Sequence, residues 1–337
     1  MTDRDALLRG FVAGTDWAGA AIAPLAGDAS NRRYLRLKHG ETGASAVLMD
    51  APPERGEDVR PFVRIAGHLA EHGLSAPHIL AQDDAQGFLL LEDLGDALFA
   101  RVIPEAPDIQ EPLYAAATDL LVELHRHPPP SGLKPYGPAA MTETAALVFD
   151  WYYAGAIAAP CAQRAQALDA LHALLSARAG AADVIVLRDY HAENLLWLPE
   201  RSGVARVGLL DFQDAMSGHR AYDLVSVLQD ARRDVPQDLE TAMIARYCAA
   251  TGQDAVHFNA AYHVLGAQRN LRILGVFARL CMRDGKAHYV DLIPRVWGLL
   301  QRDLAHEALA PLAELLRDVL PAPTPDVLDR LRGQCAR

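Results

Sequence analysis

The pattern of apolar and polar positions changes character about 90 residues into the chain. Before that point, short apolar runs between turn-forming residues predict strands, and helical spacing of apolar residues predicts two helices. Phe62, Ile65 and Leu69 give the second helix one apolar face, and Gly73 ends it. The first part of the chain therefore predicts a small β-rich lobe. Its predicted elements are helices at 3–12 and 61–71 and strands at 31–38, 46–49, 79–80 and 88–91.

Helical periodicity dominates the rest of the chain. Two short apolar runs interrupt it, at 184–187 and 207–210, and each leads into an acid-rich loop. We therefore predict an α+β fold of two lobes, a β-rich lobe at 1–95 and a larger, mainly helical lobe at 96–337, with a connector at 92–96. The predicted helices of the second lobe lie at 113–125, at 142–159, at 163–179 and from 222 onward.

Composition narrows the class of protein. The chain has 337 residues, 51% of them hydrophobic and 22% charged, which is typical of a globular protein. Its 43 acidic residues against 32 Lys and Arg give a net charge of −11, which argues against a general nucleic-acid binder. The four cysteines form no C-x-x-C pair, which favours free thiols. No signal peptide or membrane span is evident. We expect a cytoplasmic monomer that binds neither nucleic acid nor membranes.

The two acid-rich loops carry the strongest chemical signal. Asp189 and Asn194 have the spacing of the kinase catalytic loop R-D-x-x-x-x-N, and Asp211 ends an apolar run, where kinases place a metal-binding aspartate. In phosphoryl transfer one carboxylate accepts the proton of the attacking hydroxyl, while a carboxylate and an amide hold Mg²⁺. Either loop alone also fits an ordinary turn. Together they predict Asp189 as the catalytic base and Asn194 and Asp211 as Mg²⁺ ligands.

These loops resemble the aminoglycoside phosphotransferase and choline kinase superfamily, a branch of the protein-kinase-like fold. The segments that carry the resemblance are 187–194 and 209–214, and 218–224 is similar to the G-x-x-x-x-D-L element of that family. The resemblance implies a protein-kinase-like fold, with ATP and Mg²⁺ as cofactors. It also implies that Asp223 supports the catalytic loop, and we place Arg188 in the same role. An acid at a helix start is also favoured by the helix dipole.

The front of the chain matches the superfamily more loosely. Residues 27–36 lie where the family has its phosphate-covering hairpin, and 88–96 are similar to the hinge that pairs with adenine. Small residues in the hairpin let backbone N–H groups approach phosphate. An ordinary turn and a strand ending in a turn are the alternatives. The ATP-binding residues implied by the resemblance are Ser30, Asn31, Arg33, Arg36, Glu92 and Leu94.

Four strings point to a subfamily. Residues 27–34, 47–54, 187–191 and 268–275 are similar to the anomeric amino-sugar kinases of bacterial peptidoglycan recycling. Those enzymes phosphorylate N-acetylmuramate and N-acetylglucosamine at the C1 hydroxyl with ATP. The resemblance implies that activity here, with the nucleotide and a small sugar as partners.

Several side chains are candidates to bind the sugar. Arg269 is the first choice for the lactyl carboxylate of N-acetylmuramate, with Arg272 beside it, although both also fit a surface helix. Tyr153 also fits a core aromatic cluster, and His191 also fits a residue that braces the loop. The predicted sugar-binding residues are Tyr153, His191, Glu193 and Arg269.

Two departures from the pattern leave other functions open. Met49 stands where many kinases have an ATP-binding lysine, so Arg33 or Arg36 is needed to supply the charge, and the glutamate that pairs with that lysine is not identified. Leu187 replaces the histidine that often begins the catalytic triplet. The alternatives are a kinase for an aminoglycoside, choline or homoserine, and a nucleotide-binding pseudokinase. An acidic pocket would favour the aminoglycoside, and a basic pocket a carboxylate-bearing sugar.

Overall fold

A computed structural model of the chain describes residues 3–25 and 31–336. Ser30 therefore lies outside the described residues. The chain divides into two compact units, one formed by 1–120 and 192–214 and the other by 121–191 and 215–337. The predicted division into lobes at 92–96 stays a prediction.

Strands and helices follow the predicted order and confirm an α+β fold. The strands are β1 (Ala21–Pro24), β2 (Arg33–Lys38), β3 (Ser45–Asp50), β4 (Ile79–Asp83), β5 (Phe88–Glu92), β6 (Val184–Val186), β7 (Leu195–Trp197), β8 (Val207–Leu209) and β9 (Met216–Gly218). The helices are α1 (Asp3–Ala13), α2 (Arg60–Glu71), α3 (Phe99–Glu105), α4 (Gln110–Leu124), α5 (Pro138–Ala145), α6 (Ala154–Ile157), α7 (Arg164–Arg178), α8 (Tyr222–Leu228), α9 (Gln237–Thr251), α10 (Ala255–Met282), α11 (Ile293–Leu304), α12 (Ala310–Val319) and α13 (Pro325–Gly333).

The first unit is built on a five-stranded antiparallel sheet with the strand order β1-β2-β3-β5-β4. Leu37, Leu48 and Leu90 are fully buried on one face and form its core with Leu8 of α1. The hairpin β7–β8 belongs to the same unit, and it is joined to the sheet region by the bond from the Leu209 N–H to the Ser75 carbonyl, 2.9 Å long. This unit therefore contains the predicted hinge and both predicted metal ligands.

The second unit is helical, with the short pair β6–β9 beside its catalytic loop. Most of the 28 residues of α10 are buried, because α5, α7, α8 and α11 pack around it. The 268–275 string lies on this helix, and Gln268 donates to the Met141 carbonyl at 2.8 Å. Gly275 is required by packing, since a Cβ there would overlap the backbone of Leu147.

Two details differ from the sequence-based prediction. The helix predicted at 142–159 is three pieces, α5, a π-helical segment at Val148–Tyr153, and α6. Strands β1, β7 and β9 were not predicted, because three or four residues are too few to display a period. All four cysteines are free thiols. Among the helices that the structure describes, none combines the length and apolarity needed to cross a bilayer.

Candidate active site

The catalytic-loop segment of the second unit contains a strained backbone turn. Arg188 adopts a left-handed conformation with φ 71°, which is uncommon for a long side chain. The Asp189 N–H donates across it to the Leu187 carbonyl at 2.9 Å, and the His191 N–H donates to the Asp189 carbonyl at 3.1 Å. Such conformations cost about 1–3 kcal/mol and cluster at functional sites. The turn fixes the direction of Asp189.

Asp223 braces this turn from the first turn of α8. Its carboxylate accepts the N–H of Leu187 at 2.6 Å and the N–H of Arg188 at 2.9 Å, and it is fully buried. Burial raises the pKa of Asp223 to about 7, while the two N–H donors and the charge of Arg269 act to lower it. The location of Asp223 agrees with its predicted role as a support of the loop, a role that stays a prediction until it is tested.

Arg269 provides a second brace on the same loop. Its guanidinium is buried and donates to the Gln229 carbonyl at 3.1 Å and to Ser226 Oγ at 3.0 Å. Ser226 Oγ in turn donates to the Arg188 carbonyl at 3.2 Å. Two nitrogen atoms of the Arg269 guanidinium are therefore bonded to protein groups, as expected of a residue that positions the loop. The sequence led to the prediction that Arg269 binds the sugar, because the residues around it do not show which protein groups its guanidinium contacts.

We expect Asp223→Asn to destabilise the fold and slow catalysis together. An amide presents one oxygen and one NH₂ group to two N–H donors, so one donor is left without a partner, at a cost of about 1–3 kcal/mol. A shifted loop would lower kcat by about 100-fold, as misplacements near 1 Å do. Chemical unfolding and steady-state kinetics measure both effects.

Asp183→Asn is the matched control for that variant. Asp183 makes an ion pair with Arg220 and its side chain is 51% exposed, so its loss should cost less than about 1 kcal/mol and leave kcat unchanged. Equal free energies of unfolding for Asp223→Asn and the wild type would contradict the bracing role of Asp223.

Arginines dominate the charges around Asp189 within the second unit. The Asp189 charge acts on the pKa of Arg269 and of Arg272, and Asp230 and Arg232 lie within electrostatic reach of His191. Burial lowers the pKa of His191 to about 4, so its imidazole is neutral at pH 7. His191 is buried, which fits loop bracing as well as sugar binding. Arg188, Arg232, Arg269 and Arg272 outnumber the carboxylates of Asp189, Asp223 and Asp230 in this neighbourhood, which gives it an excess of positive charge.

The predicted metal ligands come together through the hairpin β7–β8 of the first unit. Leu195 pairs with Leu209, so the residues that flank this pair, Asn194 and Leu210, are also opposite each other. The Leu210 N–H donates to the Asn194 carbonyl at 3.0 Å, and Asp211 follows directly. The hairpin therefore explains why two residues 17 positions apart lie at one end of a strand pair.

Asp211 is held by its own loop. It has a left-handed backbone with φ 56°, which aspartate tolerates better than most residues. Gln213 Nε2 donates to Asp211 Oδ1 at 2.6 Å, and the Phe212 ring packs on Phe62 of α2 with centroids 4.7 Å apart. Sequence reasoning gave Gln213 no role, although an amide two residues from a candidate ligand is a usable signal. One carboxylate and one amide, with Gln213 donating to the carboxylate, fit the oxygen ligation that Mg²⁺ prefers.

A cleft of about 470 Å³ lies in the first unit next to these ligands. Asn194 and Asp211 line it together with residues 91–96, the predicted hinge, and with Tyr34 and Val47 of the sheet. Leu94, Glu92 and Glu193 also line it. The predicted adenine-binding and metal-binding residues therefore border one cavity. Glu193, predicted to contact the sugar, lies in this cleft.

The predicted ATP-binding side chains have protein partners. Arg36 binds Asp93 and Asp96, each at 2.8 Å, and so ties β2 to the hinge segment. Glu92 accepts from Arg201 at 2.6 Å. Asn31 Nδ2 donates to the Arg55 carbonyl at 3.2 Å.

Two further predicted residues lie elsewhere. Arg33 pairs with Asp50 at 2.8 Å and with Asp5 at 3.0 Å, and it is not among the residues that line the cleft. Tyr153 is half-buried at the end of the π-helical segment. Their predicted contacts with ATP and with the sugar stay predictions.

Comparison with known proteins places the chain in a family. Residues 21–263 match the model of the APH group, described as the phosphotransferase enzyme family. The chain belongs to this family. A Caulobacter vibrioides protein named N-acetylmuramate/N-acetylglucosamine kinase is 40% identical to this phosphotransferase over 96% of the chain and 98% of the relative. A Pseudomonas aeruginosa protein of the same name is 36% identical over 88% of each chain.

Solved structures show the same fold at low identity. A microcompartment-associated aminopropanol kinase is similar with a TM-score of 0.62 and 16% identity, over 92% of this phosphotransferase and 98% of that chain. The ADP-bound aminoglycoside phosphotransferase APH(2'')-Ib gives a TM-score of 0.59 and 12% identity, over 93% and 99%. These structures confirm the predicted protein-kinase-like fold, and the family match and the relatives confirm the predicted superfamily.

Proposed function

We propose that this phosphotransferase transfers the γ-phosphoryl group of ATP to the anomeric C1 hydroxyl of N-acetylmuramate and N-acetylglucosamine, in the recycling of peptidoglycan. The observation that carries the substrate class is the basic neighbourhood of Asp189, formed by Arg188, Arg232, Arg269 and Arg272. A polycationic aminoglycoside would be repelled there, whereas a sugar with a carboxylate would be attracted. The names of the relatives at 40% and 36% identity support the same substrates.

In the proposed reaction, one residue accepts the proton of the attacking hydroxyl. Asp189 accepts the proton of the C1 hydroxyl as the hydroxyl oxygen attacks the γ-phosphorus, and the bond from that phosphorus to the β,γ-bridging oxygen breaks, so that ADP leaves. An anomeric hydroxyl is more acidic than an ordinary alcohol, so a carboxylate is an adequate base for it. Asn194 and Asp211 would hold Mg²⁺, which supplies charge neutralisation at the phosphates. Asp223 and Arg269 position the loop, and positioning accounts for much of the acceleration in phosphoryl transfer.

A substrate panel tests the proposal. N-acetylmuramate, N-acetylglucosamine, glucose, kanamycin, choline and homoserine are incubated with ATP and Mg²⁺, and the products are read by phosphorus NMR. A 1-phosphate on the two N-acetyl sugars is expected. Phosphate on kanamycin, choline or homoserine would reject the proposed substrate, and transfer to no acceptor would reject the proposed activity.

The carboxylate of N-acetylmuramate needs its own cation, and Arg272 is better placed for it than Arg269. It lies one turn further along α10, is partly exposed, and its charge acts on Asp189. Losing a hydrogen bond to a charged group costs about 1.5–3 kcal/mol. Arg272→Gln should therefore raise KM for N-acetylmuramate by about 10- to 100-fold and change that for N-acetylglucosamine far less.

Arg279→Gln is the control, since Arg279 lies on the same helix two turns away. Its KM values for both sugars should match those of the wild type. Equal losses for both sugars in Arg272→Gln would show that Arg272 does not bind the carboxylate.

A further inference from the structure

A fully buried carboxylate of the second unit has no part in the proposed reaction. It belongs to Asp303, near the end of α11. Gln229 Nε2 and His263 Nδ1 each donate to Asp303 Oδ1 at 2.9 Å, and Asn270 Nδ2 donates to Oδ2 at 3.0 Å. A carboxylate is costly to bury unless donors satisfy it, and a satisfied buried network holds its members in one arrangement. These three donors therefore indicate that Asp303 fixes the groups around it.

The backbone of α10 makes room for this carboxylate at Gly266. A Cβ at position 266 would lie 2.5 Å from Asp303 Oδ2 and 2.7 Å from its Cγ. Both distances are too short for real atoms, so any larger residue at 266 would displace the carboxylate. The same helix supplies two of the donors, His263 and Asn270. Helix α10 therefore combines a missing side chain with donors that face one carboxylate.

Gln229 connects Asp303 to the end of α8, because it directly follows that helix. Its side-chain Nε2 donates both to Asp303 and to Glu240 Oε1, the latter at 3.2 Å, and its Oε1 accepts from Asn270 at 2.9 Å. Its main-chain N–H donates to the Val225 carbonyl at 2.8 Å. An amide whose nitrogen and oxygen are both bonded is held in one orientation. Asp303 therefore helps to fix the position at which α8 ends.

Helix α8 carries the groups that hold the catalytic loop. Asp223 in its first turn accepts two N–H groups of the loop, and Ser226 in its second turn donates to the Arg188 carbonyl. Arg269 donates to the Ser226 hydroxyl and to the Gln229 carbonyl, so it links the second turn of α8 to its end. The helix has seven residues and is about 10 Å long. A rigid element this short transmits a shift of one end to the other.

We infer that Asp303 is a positioning residue of this phosphotransferase, which holds the end of α8 through Gln229 and thereby the turn that directs Asp189. Asp303 would act through α8 and not by touching a reacting group. The inference rests on the proposed role of Asp189 as the base. It does not depend on which acceptor is phosphorylated.

Hydrogen exchange of the catalytic loop tests the inference without any activity. Deuterium uptake by peptides that cover 187–191 is measured by mass spectrometry for the wild type, Asp303→Asn and Asp303→Ala. Asparagine keeps the size of the side chain but replaces one acceptor oxygen by a donor, and alanine removes both oxygens. The N–H groups of Leu187 and Arg188, which Asp223 accepts, should exchange about 3- to 30-fold faster in both variants, the usual range for a residue that acts through a network.

Steady-state kinetics gives a second measurement on the same variants. With any acceptor that the wild type phosphorylates, kcat is expected to fall by about 3- to 30-fold in Asp303→Asn. The KM for ATP and for the acceptor, and the Kd of ADP with Mg²⁺, should stay within about twofold of the wild type. A misdirected base slows transfer but removes no group that binds a substrate.

Tyr152→Phe is the matched control for a loss of stability alone. Tyr152 is fully buried in the same unit, and its hydroxyl donates to the Pro321 carbonyl at 2.7 Å. Tyr152→Phe and Asp303→Asn each remove a buried hydrogen bond, so each should lower the midpoint of thermal unfolding by about 1–4 °C. Only the change at Asp303 should alter kcat and the exchange of 187–191.

Gly266→Ala reaches the same carboxylate from the other side. Its methyl group should displace Asp303 and speed the exchange of 187–191, but it should add little in the Asp303→Ala background, where the space is empty. Full additivity of the two substitutions would contradict the role given to Gly266.

Two results would overturn the inference. One is unchanged exchange of 187–191 in both Asp303 variants, and the other is an equal change in Tyr152→Phe. A wild type that transfers phosphate to no acceptor would reject the proposed function instead, and the exchange data would still decide whether Asp303 holds the loop.

Discussion

Replacing Asp189 by asparagine is expected to lower kcat by about 10²- to 10⁴-fold, the usual contribution of a general base. The side chain keeps its size, and the turn that presents it is held by Asp223 and by backbone bonds of Leu187 and His191, so the fold should be unaffected. The Kd of ADP with Mg²⁺ should not change, because asparagine removes only the proton acceptor. Rapid-quench measurement of the transfer step separates the loss from product release.

The control for this variant is Asp169→Asn on α7, at an exposed position of the same unit. Its kcat and its midpoint of thermal unfolding should match those of the wild type. Full activity of Asp189→Asn would remove Asp189 from the mechanism. Weakened nucleotide binding by the same variant would indicate that Asp189 holds the nucleotide instead of the acceptor proton.

Gly275→Ala is expected to lower the free energy of unfolding by about 3 kcal/mol, at the upper end of overpacking effects. A Cβ at this position would overlap the carbonyl group of Leu147 and lie 2.5 Å from the Val148 nitrogen. Backbone atoms cannot rotate away as a side chain can, so α10 or the π-helical segment must move. The midpoint of thermal unfolding should fall by roughly 4 °C, because the unfolding entropy grows with chain length.

Gly298→Ala on α11 makes the comparison specific. Apart from its chain neighbours and the nearby backbone of its own helix, no heavy atom lies within 4 Å of the Cβ that alanine would add at position 298. That variant should be as stable as the wild type or more stable by about 0.5–1 kcal/mol, because alanine is the better helix former. Similar unfolding curves for the two variants would show that Leu147 does not constrain position 275.

The sequence predicted the parts of the site whose chemistry is local. Asp189, Asn194 and Asp211 are recognisable because their spacing and the apolar runs before them are contained within a few residues. The strands β2, β3 and β5 followed from short apolar runs between turn residues. These features depend on neighbours along the chain, which the sequence displays.

The remaining features depend on contacts between distant residues. Arg32 donates to Glu57 at 2.8 Å, although the two residues are 25 positions apart and neither has a pattern that identifies the other. The protein partners of Arg269 are the Gln229 carbonyl and Ser226, 40 and 43 positions away, so its place in a brace could not be read from the string around it. The apolar run of β8 was predicted, but its pairing with β7 was missed, because the sequence does not display which short runs pair.

Because Arg188 has a left-handed backbone, a substitution that stabilises the fold at this position is expected to lower activity. A glycine at position 188 would adopt φ 71° without steric cost. Turn positions with such a backbone are common sites of stabilising substitutions. The guanidinium of Arg188 also lies 5.3 Å from the centre of the Tyr136 ring, a cation–π contact that glycine would lose. Laboratory evolution that selects for thermal tolerance alone would favour glycine at position 188. The greater backbone freedom of glycine would loosen the turn that orients Asp189. A screen for hardier variants therefore has to select for turnover at the same time.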